Sequence, residues 1–175
     1  RPLATLVYAL TQCTASKGDI IVLLPGHAET LTAAGMLSTA GVTVIGSGNG
    51  TNRPTITINA AIPGLNMTGA NVKVYNCRVL AGSSVTAATR LIRVAASNIK
   101  FIGCEVSMAY DMYHMVVVLS GDDVIFEDCV LLNTVTTSAS IHPQTGVLNI
   151  GGTNILLTDA GLMILEPKRQ NVGEL

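Results

Sequence analysis

Asn98-Ile99-Lys100-Phe101-Ile102-Gly103-Cys104 is one of five segments built to a single pattern. The others are Gly41-Val42-Thr43-Val44-Ile45-Gly46-Ser47, Asn71-Val72-Lys73-Val74-Tyr75-Asn76-Cys77, Asp123-Val124-Ile125-Phe126-Glu127-Asp128-Cys129 and Asn154-Ile155-Leu156-Leu157-Thr158-Asp159-Ala160. Their starts lie 30, 27, 25 and 31 residues apart, an irregular period within the range of solenoid repeats. The first column is Gly, Asn, Asn, Asp, Asn and the sixth is Gly, Asn, Gly, Asp, Asp. These residue types tolerate left-handed backbone angles and make local turns. Columns two and four hold only Val, Ile, Leu and Phe, and their period of two marks one side of a strand as buried. The seventh column is small throughout: Ser, Cys, Cys, Cys, Ala. Each unit is thus a short strand between turns, too small to bury its own apolar side, and stacking the units at ~4.8 Å makes a continuous core.

Further short strands fill the intervals, at Thr55–Ile58, Leu65–Met67 and residues 91–94, 115–119 and 147–150. Two or three strands per coil without intervening helices describe an all-β, right-handed parallel β-helix of about five to six coils. A leucine-rich repeat would need Leu-x-x-Leu-x-Leu, which is missing. A β-sandwich also suits short strands with turn signals, but it gives no reason for column-by-column matching. Residues 3–15 (LATLVYALTQCTA) place Leu3, Leu6, Val7, Leu10 and Cys13 on one helical side, as expected for a short N-terminal capping helix. One β-helix domain over residues 1–165 and a polar C-terminal tail over 166–175 complete the expected organisation. The start at Arg1 without Met reads as a processed or trimmed product.

Composition narrows the class. Of 175 residues 49% are hydrophobic and 12% charged, against about 25% charged in ordinary soluble domains. No apolar run approaches the ~18–20 residues of a spanning helix, so no membrane role is expected. Ten Lys and Arg against eleven Asp and Glu leave a net charge of −1, which gives no field for nucleic acid. The high hydrophobicity excludes disorder. With no Trp and 3% aromatics, stacking platforms for sugars or single strands are unsupported.

Residues 15–30 (ASKGDIIVLLPGHAET), residues 40–50 (AGVTVIGSGNG) and Arg53-Pro54-Thr55 resemble the opening coils of pectin-lyase-like right-handed β-helices, and more narrowly those of bacteriophage virion proteins. As a fold pattern the resemblance covers most of the chain, but its specific motif covers only about the first third. It implies a virion protein assembled in the host cytoplasm, commonly as a homotrimer, among tail spikes, tail-associated adhesins and capsid decoration proteins. The partners implied are other virion proteins, the major capsid protein or the tail.

The enzymes of that class imply either carboxylates around Ca²⁺ with a basic proton acceptor or clustered Asp pairs. The best carboxylates here are Asp122, Asp123, Glu127 and Asp128, but Asp123 and Asp128 fall at turn columns and only Glu127 projects from a strand face. The family's Asn-Thr-Asp would fall at Asn133-Thr134-Val135, which lacks the Asp, and Gly-His-Gly is absent. No catalytic residue, cofactor or metal is assigned, and the chain reads as non-enzymatic. Arg78 and Glu105 share an outward column and are expected to pair. His27 and Glu29 suit hydrogen bonds that fix the turn after the first strand, and His142 reads as a residue of a Ser/Thr-rich loop. The stretch from Gly46 to Gly50 (GSGNG) reads as a turn, because no Gly-Lys-Ser/Thr follows it. Cys77, Cys104 and Cys129 form an inward small-residue ladder rather than a disulfide framework. The remaining signal lies outward. Column three contributes Ile125 and Leu156, and column five Ile45, Tyr75 and Ile102, where water-facing residues are expected. With Tyr110 and Tyr113 from the one tyrosine cluster, these are the candidate interface of an oligomer, expected to be a capsid decoration or cement protein. The alternative is a tail-spike or adhesin domain that binds or cleaves host polysaccharide.

Overall fold

The computed structural model describes residues 3–32, 35–59, 64–82, 90–108, 114–120, 123–133, 139–143, 148–150, 153–158 and 161–164. Among the described residues a helix, α1 (Leu6–Thr11), precedes eighteen strands. They run β1 (Ile20–Leu23), β2 (Ala28–Leu31), β3 (Gly35–Leu37), β4 (Thr43–Gly46), β5 (Thr55–Ile58), β6 (Leu65–Met67), β7 (Lys73–Tyr75), β8 (Arg78–Ala81) and β9 (Arg90–Val94). Then come β10 (Ile99–Ile102), β11 (Glu105–Met108), β12 (His114–Val118), β13 (Val124–Glu127), β14 (Val130–Asn133), β15 (Ala139–Pro143), β16 (Leu148–Ile150), β17 (Thr153–Thr158) and β18 (Gly161–Ile164). Every third strand joins the same sheet, in the order β1-β4-β7-β10-β13-β16 for sheet A, β2-β5-β8-β11-β14 for sheet B and β3-β6-β9-β12-β15 for sheet C. All these pairings are parallel and in register, so the chain is a three-sided parallel β-solenoid.

The left-handed corners fall where the repeat puts them. Gly41, Asn71, Asn98 and Asp123 in column one, and Asn76, Gly103 and Asp128 in column six, all have φ between 50° and 77°. The pairs Asn71/Asn76, Asn98/Gly103 and Asp123/Asp128 each bracket one strand of sheet A, so a turn at both ends sends the chain around a corner into the next sheet. Asn76 also ties neighbouring coils, since its Nδ2 donates to the carbonyls of Gly46 and Gly48 at 2.9 and 2.8 Å. Columns two and four line the core: Val42, Val44, Val72, Val74, Ile99, Phe101, Val124 and Phe126 are all fully buried. Phe101 and Phe126 are register partners whose rings stack 4.8 Å apart and within 5° of parallel.

Three expectations need correction. The stack has about four turns, counted from β1 through β4, β7 and β10 to β13, fewer than the five to six coils expected. The Asn154 segment does not stack as a coil; it lies in β17, antiparallel to both β16 and β18. Only Gly151 and Gly152 separate β16 from β17, enough for a hairpin but far short of a parallel crossover. The N-terminal helix is also shorter than the apolar spacing over residues 3–15 suggests. Asp19 Oδ2 accepts the Thr14 amide at 2.7 Å and Ser16 turns left-handed, which ends the helical run. Leu6, Ala9 and Leu10 are its buried side, while Leu3 and Val7 stay exposed. The tail over 166–175 lies outside the described residues.

One residue fastens the helix to the solenoid. Glu29 on β2 is buried, and its Oε2 accepts the Leu6 amide at 2.6 Å, while Thr5 caps the same end by accepting from Tyr8 N at 3.1 Å. A carboxylate here meets both the orphan first-turn amides and the positive end of the helix. Glu29→Ala is expected to cost about 1.5–3 kcal/mol, the range for a hydrogen bond to a charged group. Urea unfolding would register the loss. Hydrogen exchange should show α1 amides losing protection before those of sheet A, and equal protection of α1 in the variant would contradict this role.

Candidate functional site

The three outer faces differ. On sheet B the outward columns read Thr55, Arg78, Glu105, Val130 and Thr57, Leu80, Ser107, Leu132, mostly polar over the middle coils and ending on the exposed Val130 and Leu132. There Arg78 Nη2 donates to Glu105 Oε2 at 3.0 Å, the pairing expected from the shared column, and Arg53 Nη1 stands 3.8 Å from the same oxygen. On sheet C the outward column Asn66, Arg93, Val117 is largely covered: Arg93 Nη1 donates to Asn66 Oδ1 at 2.8 Å, and Asn66 and Val117 are both buried.

Sheet A carries one apolar ladder on its outer face in addition to its apolar inner face. In register, one outward ladder runs Val22, Ile45, Tyr75, Ile102 and ends at Glu127. The second runs Ile20, Thr43, Lys73, Lys100, Ile125. The structure therefore brings Ile45, Tyr75 and Ile102 together as direct neighbours and sets Ile125 one column away; all four are half-buried. Leu156 does not join them, because β17 turns back on β16 and Leu156 pairs with Met163. Tyr110 and Tyr113 lie outside the described residues.

The most exposed apolar side chains on this face were not among the expected site residues. Ile20, Val22 and the adjacent Leu24 are 62%, 54% and 61% exposed. With Leu3, Ala9 and Cys13 they line a groove of about 570 Å³ between the α1 segment and β1. The signal was present in the sequence. Carrying the repeat back 23 residues from Gly41 finds Gly18 in column one, with φ 74°, followed by the strand that supplies Ile20 and Val22.

The carboxylates considered for catalysis do not converge. Asp123 and Asp128 take the left-handed corners at either end of β13, and Glu127 points outward and is exposed; Asp122 lies outside the described residues. His27 Nε2 is 3.3 Å from Glu29 Oε2, so both serve the turn and the helix anchor. His142 sits on β15 beside Val117 rather than in a loop. Past Gly46 the chain makes a short 3-10 turn, Gly50–Asn52. Among the described residues no three His, Cys, Asp or Glu side chains are placed to hold a metal ion.

Cys77 and Cys104 are buried and Cys129 half-buried, all as free thiols. Burial pushes Cys77 up to about 12. Its hydrogen bond with Cys129, together with burial, also raises Cys104, and the same bond lowers Cys129. The thiolate is the nucleophile, so Cys129 is expected to be the first of the three to react with iodoacetamide at pH 8, with Cys77 and Cys104 nearly inert. Timed alkylation read by peptide mass spectrometry tests the order, and labelling of Cys77 as fast as Cys129 would refute it.

No family model, curated protein or solved structure matches the chain.

Proposed function

We propose that the protein is a non-enzymatic structural component of a bacteriophage virion, a capsid decoration or cement protein that acts as a homotrimer through the outer face of sheet A. The observation that carries this reading is the ladder Val22, Ile45, Tyr75, Ile102. A strand face meant for water alternates apolar-in with polar-out. This ladder breaks that pattern on four consecutive strands of sheet A, whereas the outward residues of sheet B are apolar chiefly at Leu80 and on its last strand, at Val130 and Leu132. A contiguous outward apolar ladder is the mark of a surface that meets another protein. Parallel solenoids packed side by side bury such a face, and a rigid three-sided rod presents it without reorganisation. The virion setting comes from the likeness of the opening coils to phage β-helices. The partners are other copies of the chain and the shell or tail beneath them.

Ile45→Asp with Ile102→Asp tests the interface. Both side chains point away from the core, so the variant is expected to fold with its far-ultraviolet dichroism unchanged. In native mass spectrometry the parent should appear as an oligomer and the variant as a monomer. Unchanged oligomeric mass in the variant, or a monomeric parent that degrades polysaccharide, sinks the proposal. A map of the assembled particle decides between head and tail.

A further inference from the structure

We propose that the free edge of β1 is a strand-addition site that takes one extended, uncharged segment of a partner protein into the groove beneath α1. Among the described residues β1 pairs only with β4 and ends sheet A. The Thr43 amide donates to Asp19 O at 2.9 Å and the Ser47 amide to Leu23 O at 2.8 Å, so the odd-numbered carbonyls face β4. Alternation along a strand then turns the main-chain groups of Ile20 and Val22 toward the open edge. The groove follows that edge: all five residues 20–24 line it, those with inward side chains as well as those with outward ones. A cavity lying on one face of a strand would touch alternate residues only. Leu3, Ala9 and Cys13 form the opposite wall.

Exposed edges in natural sheets are guarded by charge, Pro or a covering element; here α1 stands over the edge but leaves the groove between itself and β1. Residues 20–24 read Ile-Ile-Val-Leu-Leu, with neither charge nor Pro, and Ile20, Val22 and Leu24 are among the most exposed large apolar side chains described. Strand addition uses these features: main-chain bonds hold the guest while apolar positions receive its alternate side chains. Titratable groups line the groove only near the ends of β1, with Asp19 before it, Cys13 beside it on the far wall, and His27 after it. The middle of the guest therefore meets no counter-charge and must itself be uncharged. A second copy of this chain is a poor guest, because its own β1 carries α1 along the same edge. A slot walled on both sides admits a lone strand, not the roofed end of another solenoid. The site shares Val22 with the proposed oligomer face but neither Ile45 nor Ile102 lines the groove, so Ile45→Asp with Ile102→Asp should leave peptide binding unchanged.

The probe is a fluorescent peptide of residues 41–47 (GVTVIGS), the strand type that β1 already accepts on its other side. Fluorescence anisotropy with the intact protein should show saturable binding, and hydrogen exchange should slow at Ile20 and Val22. Val22→Lys, at an exposed position where the fold tolerates it, should weaken binding about tenfold or more by placing a charge on the edge. Methylating the alternate peptide amides that face β1 should abolish binding, and methylating the other set should leave it. The absence of peptide binding, binding unaffected by Val22→Lys, or equal tolerance of both methylation patterns would overturn the proposal. So would slow exchange at Ile20 and Val22 in the protein alone that is lost on dilution to monomer, which would make a second copy the occupant.

Discussion

Phe101→Ala is expected to lower the stability of the protein by about 4 kcal/mol, within the ~3–5 kcal/mol range for truncating a buried Phe. Two terms add at this position. Phe101 is fully buried between coils, so removing the ring leaves a cavity that neighbouring strands, held by parallel ladders on both sides, cannot collapse to fill. It also forfeits the stack on Phe126, and an aromatic pair contributes about 0.5–1.5 kcal/mol beyond its area. Phe101→Leu keeps most of the volume and loses only the stack, so it should cost much less. In a solenoid each coil contacts only its neighbours, so the damage should centre on β7, β10 and β13. Urea unfolding followed by hydrogen exchange separates the global loss from this local pattern. A Phe101→Ala loss below about 1 kcal/mol, or one equal to that of Phe101→Leu, would show that the rings do not act as a ladder.

The same residues explain why so much of the fold was legible. A β-solenoid writes its geometry column by column. Only Gly, Asn and Asp readily hold the left-handed corners, so Asn71, Asn98, Asp123, Asn76 and Asp128 announced turns that the backbone confirms. Only apolar residues fill the core, so Phe101 and Phe126 announced their own register. Where a rule depends on what comes next in space, the pattern was insufficient. The Asn154 segment carries the column residues of a coil, yet two intervening residues force it into a hairpin. The apolar spacing before β1 fits a long helix, yet Asp19 and Ser16 end it after Thr11. The candidate surface was half legible: columns three and five named Ile45, Tyr75 and Ile102. They missed Ile20 and Val22, because a lone Gly18 followed by Asp19 does not look like the other corners.

Gly46→Ala should be nearly as damaging as the loss of an aromatic ring, for the opposite reason. Gly46 fills a column-six position, but unlike Asn76, Gly103 and Asp128 it does not have a positive φ, so backbone freedom is not its purpose. It is there for contact. A Cβ at Gly46 would stand 2.3 Å from the Asn76 carbonyl oxygen and 3.2 Å from Cys77 Sγ. The carbonyl belongs to the main chain of the next coil, and Asn76 Nδ2 is bonded to Gly46 O and Gly48 O, so neither side can yield independently. Overpacking against a fixed backbone costs about 3 kcal/mol. Asn76→Ala removes two hydrogen bonds and strains a left-handed corner, about 2 kcal/mol in all. Gly26→Ala is the control: its Cβ would meet nothing within 4 Å, and only its φ of 76° opposes the change, at about 1 kcal/mol. The expected order of urea midpoints is therefore Gly26→Ala highest, then Asn76→Ala, then Gly46→Ala. Ile45 immediately precedes Gly46 and its register partner Tyr75 precedes Asn76, so the clash would also pry open the outward apolar ladder. If that ladder is the oligomer face, Gly46→Ala should lower oligomeric mass at protein concentrations where Gly26→Ala does not. A folded Gly46→Ala that keeps full oligomeric mass would place the interface away from β4 and β7.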